Sequence, residues 1–165
     1  MKTNLEKKGI YNADIVAGSL LVPESRKIAN LLLSEPSKEE WNDAIVIQNI
    51  LQKRTPSTAK REAKLIRNRL SLVKPELLEM ISNGGSDLAT QAVLACSIKH
   101  SKLVGDFMYE VVRYHWITFE LYISDKDWRE FWDSCSQIDP EILKWSEKTY
   151  NKLRQVIFRI LFESK

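Results

Sequence analysis

The stretch from Gln52 to Leu70, QKRTPSTAKREAKLIRNRL, constrains this chain more than any other. It holds seven basic residues (Lys53, Arg54, Lys60, Arg61, Lys64, Arg67 and Arg69) against one acid, Glu62. A helix start is written inside it. Thr55 suits the N-cap, because its hydroxyl can accept from a free backbone N–H, and Pro56 suits the first helical position. Ala59, Ala63, Ile66, Leu70 and Val73 then recur at i, i+4, i+7, i+11 and i+14, which makes one apolar face. Lys60, Lys64 and Arg67 repeat that spacing on a neighbouring face, with Arg61 beside them. Such a helix docks on a core by one side and offers a cationic stripe on another. That stripe is the electrostatic footprint of a nucleic-acid binder. The competing reading is a solvated surface, since Lys and Arg are good helix formers in their own right.

Charge along the chain sharpens the choice. Residues 1–74 carry 14 Lys/Arg and 8 Asp/Glu, whereas residues 75–165 carry 11 and 14. The modest net charge of +3 therefore hides a basic first half and an acidic second half. A polar arrangement of this kind gives one surface that attracts polyanions, and it would also suit copies stacking head to tail.

Nearly every segment reads as helix. Tyr11 to Leu21 is apolar-rich and stops before Pro23. Pro23-Glu24 opens a helix to about Leu33. Ser37 and Glu40 form a capping box, and the helix they start carries Trp41, Ala44, Ile45, Ile47, Gln48 and Leu51. Pro75 starts a short helix that ends at Gly84-Gly85. Ser86-Asp87 caps the next, in which Leu88, Ala92, Ala95 and Ile98 form a seam, and this is expected to be the most buried helix. Another runs from Leu103 to about Tyr122, although Tyr114 to Ile123 is aromatic and β-branched enough for a strand. Ser124-Asp125 opens a helix with Trp128, Phe131 and Trp132 at core spacing. Pro140-Glu141 opens the last, through Leu161. With 165 residues, 44% of them apolar, the expectation is an all-α, single compact domain of about seven helices, spanning residues 1–165 with a flexible tail over 1–10.

Catalytic chemistry is hard to find. Gly84-Gly85 is not followed by the Lys-Ser/Thr of a phosphate loop. Cys96 and His100 stand at i, i+4, but zinc normally takes about four ligands, and no second pair has suitable spacing. Asp125, Asp127, Glu130 and Asp133 read as acids at a helix start, favoured by the dipole. The expectation is a non-enzymatic protein with no cofactor and no metal. The most apolar stretch, Leu88 to Ile98, is too short for a bilayer, which needs about 20 residues. Met1 to Lys8 is too polar for a signal peptide, and two cysteines need no disulfide. These features suit a cytoplasmic protein that does not enter a membrane.

Three segments taken together, AGSLLVPESRKIANLLL (17–33), WNDAIVIQNILQKRTPSTAKREAKLIRNRL (41–70) and LATQAVLACSIKHSKLVGDFMYEVV (88–112), resemble the BrxA family of bacterial BREX bacteriophage-exclusion systems. The likeness runs from Tyr11 to about Phe162. Its specific parts are Glu24-Ser25-Arg26, the Gln-Lys-Arg-Thr-Pro turn, and Arg67-x-Arg69-Leu70. The resemblance implies a helical fold similar to the NusB-like antitermination fold, a DNA-binding role in phage defence, and partners among the other BREX proteins. It supplies no catalytic residues.

The residues themselves name the contacts. Lys53, Arg54, Lys60, Arg61, Lys64 and Arg67 would hold phosphates of double-stranded DNA. The helix start at Thr55-Pro56-Ser57 would add backbone N–H donors. Arg26 and Lys27, or Lys7 and Lys8, would extend the patch. Two other readings stay open: a protein–protein adaptor whose stripe meets an acidic partner, and an RNA-binding protein by analogy of fold alone. Oligomeric state is open as well.

Overall fold

The computed structural model describes residues 9–165, and all its regular elements are helical. In chain order they are α1 (Val22–Leu33), α2 (Lys38–Asn42), α3 (Pro56–Leu70), α4 (Pro75–Asn83), α5 (Ser86–His100), α6 (Lys102–Phe107), α7 (Arg113–Thr118), α8 (Asp125–Ile138) and α9 (Glu147–Glu163). A π-helical turn, Asp43–Ile47, prolongs α2, and a second, Met108–Val112, joins α6 and α7 into one rod. The expected tail over 1–10 lies, for residues 1–8, outside the described residues, as do Lys7 and Lys8. From Tyr11 the chain is pinned: its backbone N–H donates to Asp139 Oδ2 at 3.0 Å, and its hydroxyl to Asp106 Oδ2 at 2.7 Å.

The punctuation residues act as their chemistry requires. The Ser37–Glu40 box closes in both directions, at 3.1 and 2.8 Å. Ser124 and Asp127 form a second box at the start of α8. Gly84 caps the end of α4 with its N–H on the Met80 carbonyl at 3.0 Å, and the position takes glycine because a Cβ there would stand 2.3 Å from that oxygen. One core runs through the helices, and its densest part is aromatic. Phe107 meets Phe131 edge-on at 5.1 Å, and Trp132 meets Tyr150 at 5.0 Å, which ties the α6 rod to α8 and α9.

Several boundaries differ from the sequence expectations. Tyr11 to Leu21 yields only one 3₁₀ turn, Asp14–Ala17, since Gly18 and Ser19 follow too soon for a helix. The final helix does not start at Pro140. Pro140–Lys144 is a separate 3₁₀ turn, Trp145 is extended, and Ser146 caps α9 by accepting from Thr149 N at 3.2 Å. The suggested strand over 114–123 is helical through Thr118. Phe119 then turns into the left-handed region (φ 59°), and no strand follows among the described residues. On α5 the inward face is Ala89, Ala92, Val93, Cys96 and Ser97, while Leu88 and Ala95 are exposed. Gly85 stands at the N-cap of α5 in place of the expected Ser86 or Asp87, and it has no side chain to cap with.

Candidate nucleic-acid interface

The basic helix forms as its sequence reads. Thr55 is extended, its Oγ1 accepts from Thr58 N at 3.2 Å, and Pro56 opens α3. Ala59, Ala63, Leu65, Ile66 and Leu70 are buried. An isolated helix of this length is marginal in water, so this face holds it. Burying Leu65, Ile66 and Leu70 contributes roughly 1.5–3 kcal/mol each. The apolar periodicity picked out the inward face but omitted Leu65.

Docked in this way, α3 becomes a ridge with a groove on each flank. One groove is lined by Trp41, Asn42, Ile45, Val46, Lys60, Lys64 and Arg67. The other is lined by Arg61, Lys64 and Asn68 with the Asp14–Ala17 turn. Lys64 borders both and so marks the crest. Lys60, Arg61, Lys64 and Arg67 are exposed. Among the described residues none of these four has an ion-pair partner. Arg67 instead lies over the Trp41 ring, 4.6 Å from its centroid.

The remaining basic residues divide. Arg54, Thr55 and Ser57 are exposed at the start of α3, where Pro56 has no N–H, Thr58 N–H is capped by Thr55, and the N–H of Ser57 is left for a ligand. Lys53 is not free. Its ammonium bridges Glu24 Oε1 at 2.7 Å and Glu62 Oε2 at 2.8 Å and is mostly buried. Asn49, itself at φ 48°, brackets the Lys53 backbone with two 2.9 Å hydrogen bonds. Lys53 therefore ties the connection before α3 to α1, and its charge is compensated. Lys27 donates to the Ile50 carbonyl at 2.8 Å, and Arg26 is half-buried. Neither lines a groove beside α3.

Arg69 has a different task from the rest of the stretch. Only 1% of it is exposed. It donates through Nη1 to Ser19 O at 2.6 Å and through Nη2 to Gly18 O at 3.2 Å. Burial pulls its guanidinium down to about 10, which still leaves it charged at neutral pH. A basic count over 52–70 cannot separate this residue from the crest. Its place at i+3 from Ile66, on the inward side, is the signal that could have found it.

Two further features were missed. First, α9 supplies basic residues to the same side. Lys152, Gln155 and Arg159 share a polar cleft of about 580 Å³ with Arg61, Lys53, Glu24 and Glu62. Arg159 is paired there with Glu163 at 2.8 Å. The acidic average of the second half hid this local cluster. Second, the end of α7 and the turn after it are strongly apolar and open to solvent: Trp116, Phe119, Leu121 and Tyr122 are 83%, 89%, 85% and 84% exposed. Below it, His115 is buried between Asp127 (Nε2 to Oδ1, 3.1 Å) and Glu120 (Nδ1 to Oε2, 3.6 Å).

Among the described residues no group of three or more His, Cys, Asp or Glu side chains is placed to hold a metal ion. No described helix is long and apolar enough to cross a membrane. Cys96 and Cys135 are free thiols, each buried, and burial pushes both up to about 11.

Comparison with known proteins agrees with this architecture. The BrxA family model matches residues 9–165. A BREX protein BrxA of Paramagnetospirillum magneticum is 45% identical over 153 residues, covering 93% of this chain and 77% of that protein. One of Escherichia coli O9:H4 is 33% identical over 151 residues (92% and 71%), and one of Bacillus cereus is 30% identical over 159 residues (96% and 79%). A crystal structure of an uncharacterized protein from Magnetospirillum magneticum superposes with a TM-score of 0.85 at 43% identity, covering 93% of this chain and 78% of that one. With a family model matched over almost its whole length, the chain belongs to the BrxA family.

Proposed function

We propose that this chain is a non-enzymatic component of a BREX phage-defence system that binds duplex DNA through the crest of α3. The BREX assignment follows from the names of its relatives. The single observation behind DNA binding is the crest itself. Lys60, Arg61, Lys64 and Arg67 stand exposed and adjacent, with no counter-ion among the described residues, on a helix whose opposite face is docked. Uncompensated cations in a row repel one another, and a chain of phosphates relieves that repulsion while releasing its own condensed counterions. Arg54 and the backbone N–H of Ser57 extend the row. Nothing in the crest reads base edges, so binding is tolerant of sequence. The site of action is the cytoplasm, where phage and host DNA lie.

Changing Lys60, Lys64 and Arg67 together to Glu tests this in a mobility-shift titration with duplex DNA, single-stranded DNA and RNA. The expected result is loss of duplex binding with an unchanged helical spectrum. Retained duplex binding would overturn the assignment. Binding of RNA in preference to DNA would favour the third reading, which rests only on the NusB-like resemblance.

The open aromatic turn favours an additional role in assembly. Exposed apolar patches of this kind mark contacts with other proteins, and the candidates are the other BREX proteins. If Trp116→Ala with Phe119→Ala abolishes association with a purified BREX protein and spares duplex binding, this chain links DNA to the complex. If association survives, the contact lies elsewhere.

A further inference from the structure

We propose that the notch between Trp41 and the crest of α3 seats one sugar-phosphate unit of a nucleic-acid backbone. Arg67, Lys60 and Lys64 hold the phosphate, and Trp41 and Val46 receive the sugar, with Ile45 buried beneath them. The inference rests on the DNA-binding reading and gives it a specific pocket.

Three observations meet at this place. The first is charge. Residues 60, 64 and 67 lie at i, i+4 and i+7, so α3 points three cations at one notch. Among the described residues none of the three side chains is engaged in an ion pair.

The second is preorganisation. Arg67 is held 4.6 Å from the centroid of the Trp41 ring. Contact with a ring face consumes none of the guanidinium N–H donors, which remain available as a planar fork for an anion. A long side chain fixed in this way loses less freedom when it grips a phosphate.

The third is the character of the walls. Apart from Asn42 the non-basic lining is Trp41, Ile45 and Val46. The π-helical turn Asp43–Ile47 brings Ile45 and Val46 to the notch, and π-helical turns are frequent at functional sites. Inorganic phosphate needs no apolar wall, whereas a sugar-phosphate presents the carbon face of its ring. With a cavity volume of about 240 Å³, the notch is below the roughly 300–1,000 Å³ of drug-sized ligand sites. It suits one unit of a chain that continues outside.

Deoxyribose and ribose backbones share this chemistry, so the experiment carries both. Full-length protein is titrated by fluorescence anisotropy against a short DNA duplex and the matching RNA duplex over a range of salt, with inorganic phosphate as a competitor. The variants are Trp41→Ala, Trp41→Phe, Arg67→Lys, Arg67→Ala and the Trp41→Ala/Arg67→Lys pair. Thermal melting checks each for folding. Arg67→Lys, at an exposed position, keeps the test decisive if Trp41→Ala melts early.

The seat predicts that Trp41→Ala and Arg67→Lys each weaken duplex binding about 10-fold and that the pair loses clearly less than the product of the two single losses. Trp41→Phe, which keeps a ring face, should retain most of the affinity. Arg67→Ala should also reduce the salt slope by about 0.9, the contribution of one neutralised phosphate. Inorganic phosphate should compete poorly at equal ionic strength. Loss with both duplexes supports a seat for either sugar, and loss with DNA alone assigns it to deoxyribose. If Trp41→Ala and Arg67→Lys bind within twofold of wild type while the Lys60→Glu/Arg61→Glu/Lys64→Glu triple variant abolishes binding, the seat is overturned and the DNA reading stands. Additive losses in the pair would overturn the positioning role of Trp41. If the unaltered protein binds neither duplex, both proposals fall.

Discussion

Arg69 Nη1 donates to the carbonyl oxygen of Ser19 across 2.6 Å, 50 positions away in sequence. The arginine is a linchpin between α3 and the chain ahead of α1. Its guanidinium takes the carbonyls of Gly18 and Ser19, while Glu163 of α9 accepts from the Ser19 hydroxyl and the Leu20 N–H, both at 3.0 Å. The segment before α1 is thereby clamped from both sides, which explains how a stretch with one 3₁₀ turn remains ordered. Arg69→Met keeps the volume and removes the donors, leaving buried carbonyls unpaired at a cost of roughly 2–4 kcal/mol. Denaturant melting should show this loss, and duplex affinity of the folded protein should stay within about twofold, since Arg69 cannot reach a ligand.

Lys53 and Lys60 make a contrasting pair. Lys53→Ala strips both Glu24 and Glu62 of their partner and should lower the melting temperature while barely changing the salt dependence of binding. Lys60→Ala should do the reverse, because its ammonium has no partner to lose. If the two variants behave alike in both measurements, the division between structural and contacting cations is wrong.

Packing on α5 gives a third expectation. Ala92 is 5% exposed, so Ala92→Leu overpacks the core at a cost of roughly 1–3 kcal/mol. Ala95 faces outward, and Ala95→Leu should change stability by no more than about 0.5 kcal/mol. Thermal melting of the two variants side by side reads the difference directly.

The α8 cap gives a pH signature. Burial alone would raise the Asp127 carboxyl. Hydrogen bonds from the Ser124 hydroxyl and N–H, and from His115, outweigh it and hold the group at about 2. The native value is depressed below the unfolded one of about 3.9. The stabilisation is therefore present above about pH 4 and is lost as pH falls through about 2. Melting temperature should drop more steeply over that window for the unaltered protein than for Asp127→Asn. Parallel curves would show that the cap contributes nothing.

Much of this architecture could be read ahead of the structure, for local reasons. Thr55-Pro56, Ser37/Glu40 and Ser124 state their caps in adjacent residues, and the apolar periodicity of α3 selects its inward face. The misreadings have physical causes as well. Leu88 and Ala95 match a helical seam, but α5 turns Ala89, Val93 and Cys96 inward, and α4 covers its flank without enclosing them. The aromatic run after Tyr114 suggested a strand, yet it continues a helix and then lies open to solvent. Lys53 reads from sequence as a phosphate contact, and Arg69 as one more basic residue of the 52–70 stretch. Their partners, Glu24, Gly18 and Ser19, are distant in sequence, and only the fold brings them together. From sequence Trp41 is placed only on the helix that Ser37 starts, and its contact with Arg67 depends on how the π-helical turn sets α2 against α3.

The most direct measurement is the affinity of the protein for duplex DNA as a function of salt. Five exposed cations, Arg54, Lys60, Arg61, Lys64 and Arg67, predict a slope of log K against log salt of about −4 to −5, nearly the same for unrelated duplex sequences. A slope near zero, or binding confined to one sequence, would contradict the account.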